Sequence, residues 1–152
     1  NKYYSFDEDQ LIKVFNEVKS NFISKGYKAI VIPSMRTPKA IINLALKEFS
    51  ECGHVVNSVD KQAYLSAYGL ATHVVVTCDS TSMISEAATS GKPIFVAHMK
   101  TKRNNYRFKK FFKLFKEMGI TRDLGEKIES WTYNRHNEAE RIASIIKKKI
   151  KN

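Results

Sequence analysis

Two cysteines among 152 residues, Cys52 and Cys78, are too few for a disulfide framework. They read as buried, reduced thiols of a cytoplasmic protein. No apolar run approaches the roughly 20 residues of a membrane-spanning helix. No segment has the pattern of a signal peptide. The four histidines, His54, His73, His98 and His136, are scattered, and no pair has metal-ligand spacing, so no metal site is expected. A nucleophile elbow, a P-loop and a Gly-rich dinucleotide fingerprint are all missing. Internal repeats and low-complexity linkers are missing too, and residues 1–152 are expected to form a single domain. Acidic residues are scarce beside basic ones, 15 against 26, which gives a net charge of +11. That balance favours an anionic partner, whether nucleotide, nucleic acid or membrane surface. A Lys-, Asn- and Ile-rich proteome would give the same number, and charge alone locates no site.

What is present is globular. Hydrophobic residues make up 43% and aromatics 11%, which argues against disorder, and the length suffices to bury a core. The organising stretch runs from Ala71 to His98. Val74, Val75 and Val76, flanked by His73 and Thr77, read as a strand buried in a parallel sheet. Asp79 and Ser80 bring turn and N-cap chemistry. Met83 to Ser90 reads as a helix, with Gly91 as its cap and Pro93 just beyond. Ile94 to Ala97 is the next strand. A polar loop that leaves a buried strand and opens a helix is where α/β proteins bind anions.

The rest of the chain fits around it. Residues 1–6 are a short opening segment. Ser5 or Asp7 caps a helix to about Ser24, with Leu11, Phe15, Val18 and Phe22 on its buried face, and Gly26 stops it. Ala29 to Pro33 is a short buried strand. Thr37 is read as an N-cap with Pro38 at the first helical position, opening a helix to about Ser50. His54 to Asn57 is a weak strand and Lys61 to Gly69 a short helix. Asn104 to Met118 is a helix with Phe108, Phe111, Phe112 and Phe115 on one face, ended by Gly119. Asn137 to Ile150 is the last, with Ile142, Ile145 and Ile146 inward. Strands alternate with helices, so the expected fold class is α/β, a Rossmann-like doubly wound parallel sheet. Such folds begin with a strand; this chain begins as if just after one.

Several residues carry candidate chemistry. The loops at Arg36 and at Asp79 to Ser82 lie at the carboxyl edge of a parallel sheet, where ligands bind. Ser80, Thr81 and Ser82 offer hydroxyls and N–H groups to phosphate oxygens, or serve only as a capping run. Arg36 neutralises a diphosphate, or is a surface arginine. Glu86, a helical turn beyond Ser82, suits sugar or ribose hydroxyls, or is a solvated glutamate. His98, at a strand end, is a candidate acid or base, or structural. The run from Lys100 to Lys116 interleaves eight basic residues with four phenylalanines. It lies on an anionic membrane, or is a packed helix with a solvated Lys face. Its phenylalanines share one face and look buried, which argues against nucleic acid.

The central stretch resembles the nucleotide-sugar-binding half of glycosyltransferase-B-fold proteins. In the UDP-N-acetylglucosamine 2-epimerase family the corresponding loop and helix read Asp-Ser-Gly-Gly, then Glu and Ala, then Gly-Lys-Pro. Asp79, Ser80, Glu86, Ala87, Gly91, Lys92 and Pro93 fit that frame, with Thr81 and Ser82 in place of the Gly-Gly pair. Nearly the whole chain resembles the C-terminal domain of the mitochondrial-fission (elongated mitochondria) family, whose bacterial members are labelled nucleoside-diphosphate-sugar-epimerase-like. The resemblance rests on Ser34-Met35-Arg36-Thr37-Pro38, where the family shows Ser-Arg-Arg-Thr-Pro. It rests also on the run Thr77 to Ala87, on Thr89-Ser90-Gly91-Lys92-Pro93, and on Arg107-Phe108 with the Phe-rich helix. Gly119, Arg122 and Trp131-Thr132-Tyr133 continue it.

The resemblance implies the C-terminal half of a glycosyltransferase-B-type fold, lacking its first strand. Family members carry a strand ending in Gly-Gly just before this span, and a start at Asn1 without Met fits a fragment. A gap in the sheet is expected, filled by another element or chain, or else a chain cut short of its natural boundary. The implied ligand is a nucleoside diphosphate or nucleotide-sugar, with no other cofactor. Ser80, Thr81, Ser82 and Arg36 would hold the diphosphate and Glu86 the ribose or sugar. Asp79, Thr37, His98 and Arg107 are further candidates, and no catalytic residue is assigned. Glycosyltransferase or epimerase chemistry would need the N-terminal domain. The alternative is a non-catalytic adaptor, because plant members of the family recruit a dynamin-like protein; on that view the Lys100 to Lys116 face binds an anionic membrane or a protein, and the chain is cytoplasmic and peripheral to the membrane.

Overall fold

Helix starts in this chain are set by short polar side chains. In the computed structural model, which describes residues 3–4, 7–125, 127–135 and 138–150, Asp7 caps α1 (Glu8–Asn21) by accepting the Asp9 N–H at 3.1 Å. Asp60 does the same for α3 (Lys61–Leu70), accepting from Gln62 and Ala63. Ser80 caps α4 (Thr81–Thr89), two residues before the helix that the sequence predicts. α1 ends earlier than expected, at Asn21. A short 3₁₀ turn over Ile23–Lys25 follows, closed by Gly26 at φ 88°.

α2 (Lys39–Phe49) corrects another expectation. Thr37 does not cap it. Its hydroxyl oxygen turns back to accept the Ser34 N–H at 2.9 Å, and its own N–H donates to the Ser34 carbonyl. The loop thus closes on itself, and Pro38 takes the cap position with extended backbone. α5 (Tyr106–Glu117) and α6 (Glu138–Ile150) complete the helices. Ser5, His136 and Asn137 lie outside the described residues, and so does the Ile142 side chain. Ile145 and Ile146 are 42% and 50% exposed and not inward as predicted. Apolar spacing marks a face of a helix but does not say what covers it.

Among the described residues five strands, all paired in parallel, form two sheets. β1 (Ala29–Val31) pairs with β2 (Gly53–Val55). β3 (Val74–Thr77) and β5 (Thr121–Asp123) flank β4 (Ile94–Ala97). β5 was not expected, because Thr-Arg-Asp carries no apolar alternation. β4 is fully buried. Its Ile94 and Val96 join a cluster with Ile84 and Ala87 of α4 and Phe115 of α5. Phe95 and Ala97 join a second cluster with Val14 of α1, Phe22 and Leu124. Both faces of the sheet are therefore covered, as a Rossmann-like doubly wound α/β fold requires.

The two sheets do not pair with each other. Val74 and Val75 of β3 and Val31 of β1 stay half-exposed, and Ile30 is 48% exposed. The expected gap is therefore present, between β1 and β3.

Candidate functional site

The loops after β1 and β3 meet. Arg36, in the first loop, brings its guanidinium to 3.9 Å from the carboxylate of Asp79, in the second. Asp79 is buried, while Arg36 keeps about half its side chain in solvent. Thr77, at the end of β3, donates its hydroxyl to Asp79 Oδ1 at 2.7 Å. One carboxylate is thus fixed under the loop and one half-exposed cation reaches over it. Arg36, Asp79, Ser80, Thr81 and Ser82 line a single pocket of about 410 Å³, with Tyr3 and Phe108 as its apolar wall.

Ser80 uses its hydroxyl oxygen as a cap, accepting from Met83 N–H at 3.4 Å, and shares a contact with the Ser82 hydroxyl at 3.2 Å. The α4 amides of Thr81 and Ser82 are among the N-terminal donors that an α-helix leaves without an intrahelical partner. They sit at the positive end of the helix dipole. The pocket therefore offers N–H donors and a guanidinium, tempered by the Asp79 charge.

Four other candidates stand apart from the pocket lining. Thr37 is held in the Ser34 turn. Glu86 accepts the Tyr64 hydroxyl proton at 2.8 Å, and Tyr64 in turn accepts one from Tyr68 at 2.8 Å. Burial is the largest cause raising both tyrosine pKa values, so both stay protonated and Tyr64 donates to Glu86. His98 Nε2 lies 2.8 Å from Asp123, which also receives Lys116 at 2.6 Å. Burial pushes the Asp123 carboxyl up, but the Lys116 and His98 bonds outweigh it and hold the group below its usual range. Arg107 is exposed on α5.

Tyr3 and Phe108 were not singled out in the sequence as pocket residues. They pack ring to ring at 5.3 Å. The chain beside them is pinned by the Lys102 N–H to the Tyr3 carbonyl, and by Tyr4, whose hydroxyl accepts from Asn105 at 3.1 Å. Burial, opposed by that Asn105 bond, lifts the Tyr4 phenol to about 12. Nothing in the composition of the opening segment marks this role. Other residues that carried the resemblance turn out to be architectural. Tyr133 donates its hydroxyl to the Lys92 carbonyl at 2.9 Å, and Arg122 stacks 4.3 Å over the Trp131 ring. Among the described residues no group of three or more His, Cys, Asp or Glu could hold a metal ion, and no helix is long and apolar enough to cross a membrane.

Residues 1–150 match the sequence family described as mitochondrial fission ELM1. An uncharacterized protein of Rickettsia prowazekii (strain Madrid E) is 32% identical over 164 residues, covering 99% of this chain and 44% of its own length. Mitochondrial fission protein ELM1 of Arabidopsis thaliana is 29% identical over 150 residues, covering 93% of this chain and 32% of its own. The chain spans less than half the length of these curated relatives. No solved structure matches it.

Proposed function

The chain belongs to the mitochondrial fission ELM1 family, and on that footing we propose that it is a non-catalytic interaction domain that docks on an anionic membrane surface. The outer face of α5 supports this reading. Lys109, Lys110 and Lys113 are exposed there, beside Tyr106 at 70% and Leu114 at 51% exposure. Exposed cations interleaved with exposed apolar groups suit a headgroup layer. The four phenylalanines anchor the opposite face to the core, so the helix docks without unfolding. Each lysine near such a surface contributes about 1 kcal/mol, so K109Q/K110Q/K113Q weakens binding roughly 100-fold. Cosedimentation with phosphatidylserine vesicles tests it. Binding at low salt that fades with added salt is expected; no binding at low salt, or equal binding by the triple variant, rejects it.

A second reading has its own observation, the convergence of Arg36, Asp79, Ser80, Thr81 and Ser82 on one pocket. This pocket takes the diphosphate of a nucleoside diphosphate or nucleotide-sugar. Arg36 supplies the charge and the α4 N-terminus the N–H donors; Glu86, outside the pocket lining, would have to give up its Tyr64 bond to reach a sugar. Glycosyltransferase- or epimerase-like turnover would draw on residues beyond this span. An amide-shift titration with UDP, UDP-N-acetylglucosamine, GDP and ADP tests it. Shifts at residues 79–86 and around Arg36 are expected, with a loss of about 10- to 100-fold in affinity for Arg36→Ala, the range of one charged hydrogen bond. Silence from all four rejects it.

A further inference from the structure

The chain carries a net charge of +11, yet the pocket beneath the loops after β1 and β3 is balanced. Among the described residues that line it, Arg36 brings one positive charge and Asp79 one negative. The two are placed differently. Asp79 keeps 4% of its side chain exposed, and the Thr77 hydroxyl fixes one of its oxygens at 2.7 Å. Arg36 has its backbone held, its N–H donating to the Ser34 hydroxyl at 3.2 Å. Its guanidinium is half-exposed and stands 3.9 Å from the carboxylate, beyond a hydrogen bond. The guanidinium is therefore able to turn toward a ligand, while the carboxylate stays where it is. The Asp79 charge already reaches its buried neighbours. Burial is the main cause that raises the Tyr4 phenol and the Cys78 thiol, and the Asp79 charge adds to both.

We propose that Asp79 is a charge filter, which makes the pocket prefer a diphosphate whose far end is esterified to one whose far end is free. The inference rests on the diphosphate reading of this pocket and deepens it. A terminal phosphate carries about −1.5 to −2 at pH 7, and an ester on it leaves about −1. Arg36 offsets one charge, and the α4 amides add partial charge alone. Any further negative charge faces Asp79. Near a protein surface one unit charge at roughly 6–8 Å changes affinity by about 10-fold or more. Burying a carboxylate is itself unfavourable, so a pocket for the most highly charged anion gains nothing by keeping one at its floor. The other role open to Asp79 is to brace the loop through Thr77. An asparagine keeps that brace, because its side-chain oxygen accepts the same hydrogen bond. One variant therefore separates the two roles.

Calorimetric titration of the natural-length protein with UDP, GDP and ADP, each against its own terminal methyl ester, tests the filter. The ester adds no sugar and removes one charge. The ester is expected to bind about 10-fold tighter than the free diphosphate at pH 7.5. Asp79→Asn should tighten both and abolish the preference. A second measurement needs no variant. Near pH 5.5 the free terminal phosphate takes up a proton, and the wild-type preference should close. Free diphosphate bound as tightly as its ester at pH 7.5 overturns the filter and leaves the diphosphate reading standing. A preference that survives Asp79→Asn, or that persists unchanged at pH 5.5, overturns it too. If neither protein binds any probe, the diphosphate reading fails and the filter with it.

Discussion

Gly53 lies opposite Ala29 where β2 pairs with β1. A Cβ at this position would stand 2.4 Å from the Ala29 carbonyl oxygen and 3.1 Å from its carbonyl carbon. These are backbone atoms, with no rotamer to swing aside. Gly53→Ala must therefore push β2 off β1. The bonds at stake include Ala29 N–H to the Cys52 carbonyl at 3.3 Å and Val56 N–H to the Val31 carbonyl at 2.9 Å. Each contributes about 1 kcal/mol net, and overpacking adds about 1–3 kcal/mol. A loss near 3 kcal/mol lowers the Tm of a chain this size by roughly 6–12 °C. Gly69 in α3 is the control, because a Cβ there meets nothing within 4 Å. Gly69→Ala should stabilise by about 1 kcal/mol through helix propensity. Thermal melts followed by far-UV circular dichroism read both. A Gly53→Ala melt within about 2 °C of the parent would falsify the close pairing of β1 with β2 on which the arithmetic stands.

Asp123 sets a pH dependence. Its carboxyl is held below the usual range by Lys116 and His98, so its contribution is full above the unfolded carboxylate pKa. That contribution is lost as pH falls through the lowered folded value. Asp123→Asn should cost stability at neutral pH and cost progressively less toward about pH 2; urea midpoints across that range check it, and a constant difference would sink the assignment. Tyr64→Phe removes the donor to Glu86 and the acceptor for Tyr68. About 1 kcal/mol of stability should go with them, read by the same urea midpoints, and no change would show that the tyrosine pair does not hold Glu86.

Much of the fold was legible because the signals are local. The valine run, the Ser80 cap and Gly91 at φ 74° fix β3, α4 and the turn into β4 within a single stretch. β5 was illegible for the opposite reason. Thr121, Arg122 and Asp123 form a strand only because β4 offers its open edge to them. The candidate site divides in the same way. Arg36 and Asp79 meet because both follow strand ends, which a parallel sheet brings to one edge. The Tyr64 bond to Glu86 and the His98–Asp123–Lys116 cluster join side chains 22, 25 and 7 residues apart. No spacing rule announces such pairs, and α6 shows the limit most plainly, since Ile145 and Ile146 keep the period of a core face yet stay exposed.

Trp131 is the sole tryptophan. Arg122 of β5 stacks on one face of its ring and Phe95 of β4 meets it edge-on, with centroids 5.2 Å apart. Its indole N–H is buried without a hydrogen-bond partner. Intrinsic emission excited at the red edge therefore watches only the three-stranded half of the molecule. If β1 and β2 come apart first, the indole will not register it, and the fluorescence melt will lag the ellipticity melt. The lag between those two curves measures how tightly the two halves of the unfinished sheet are coupled.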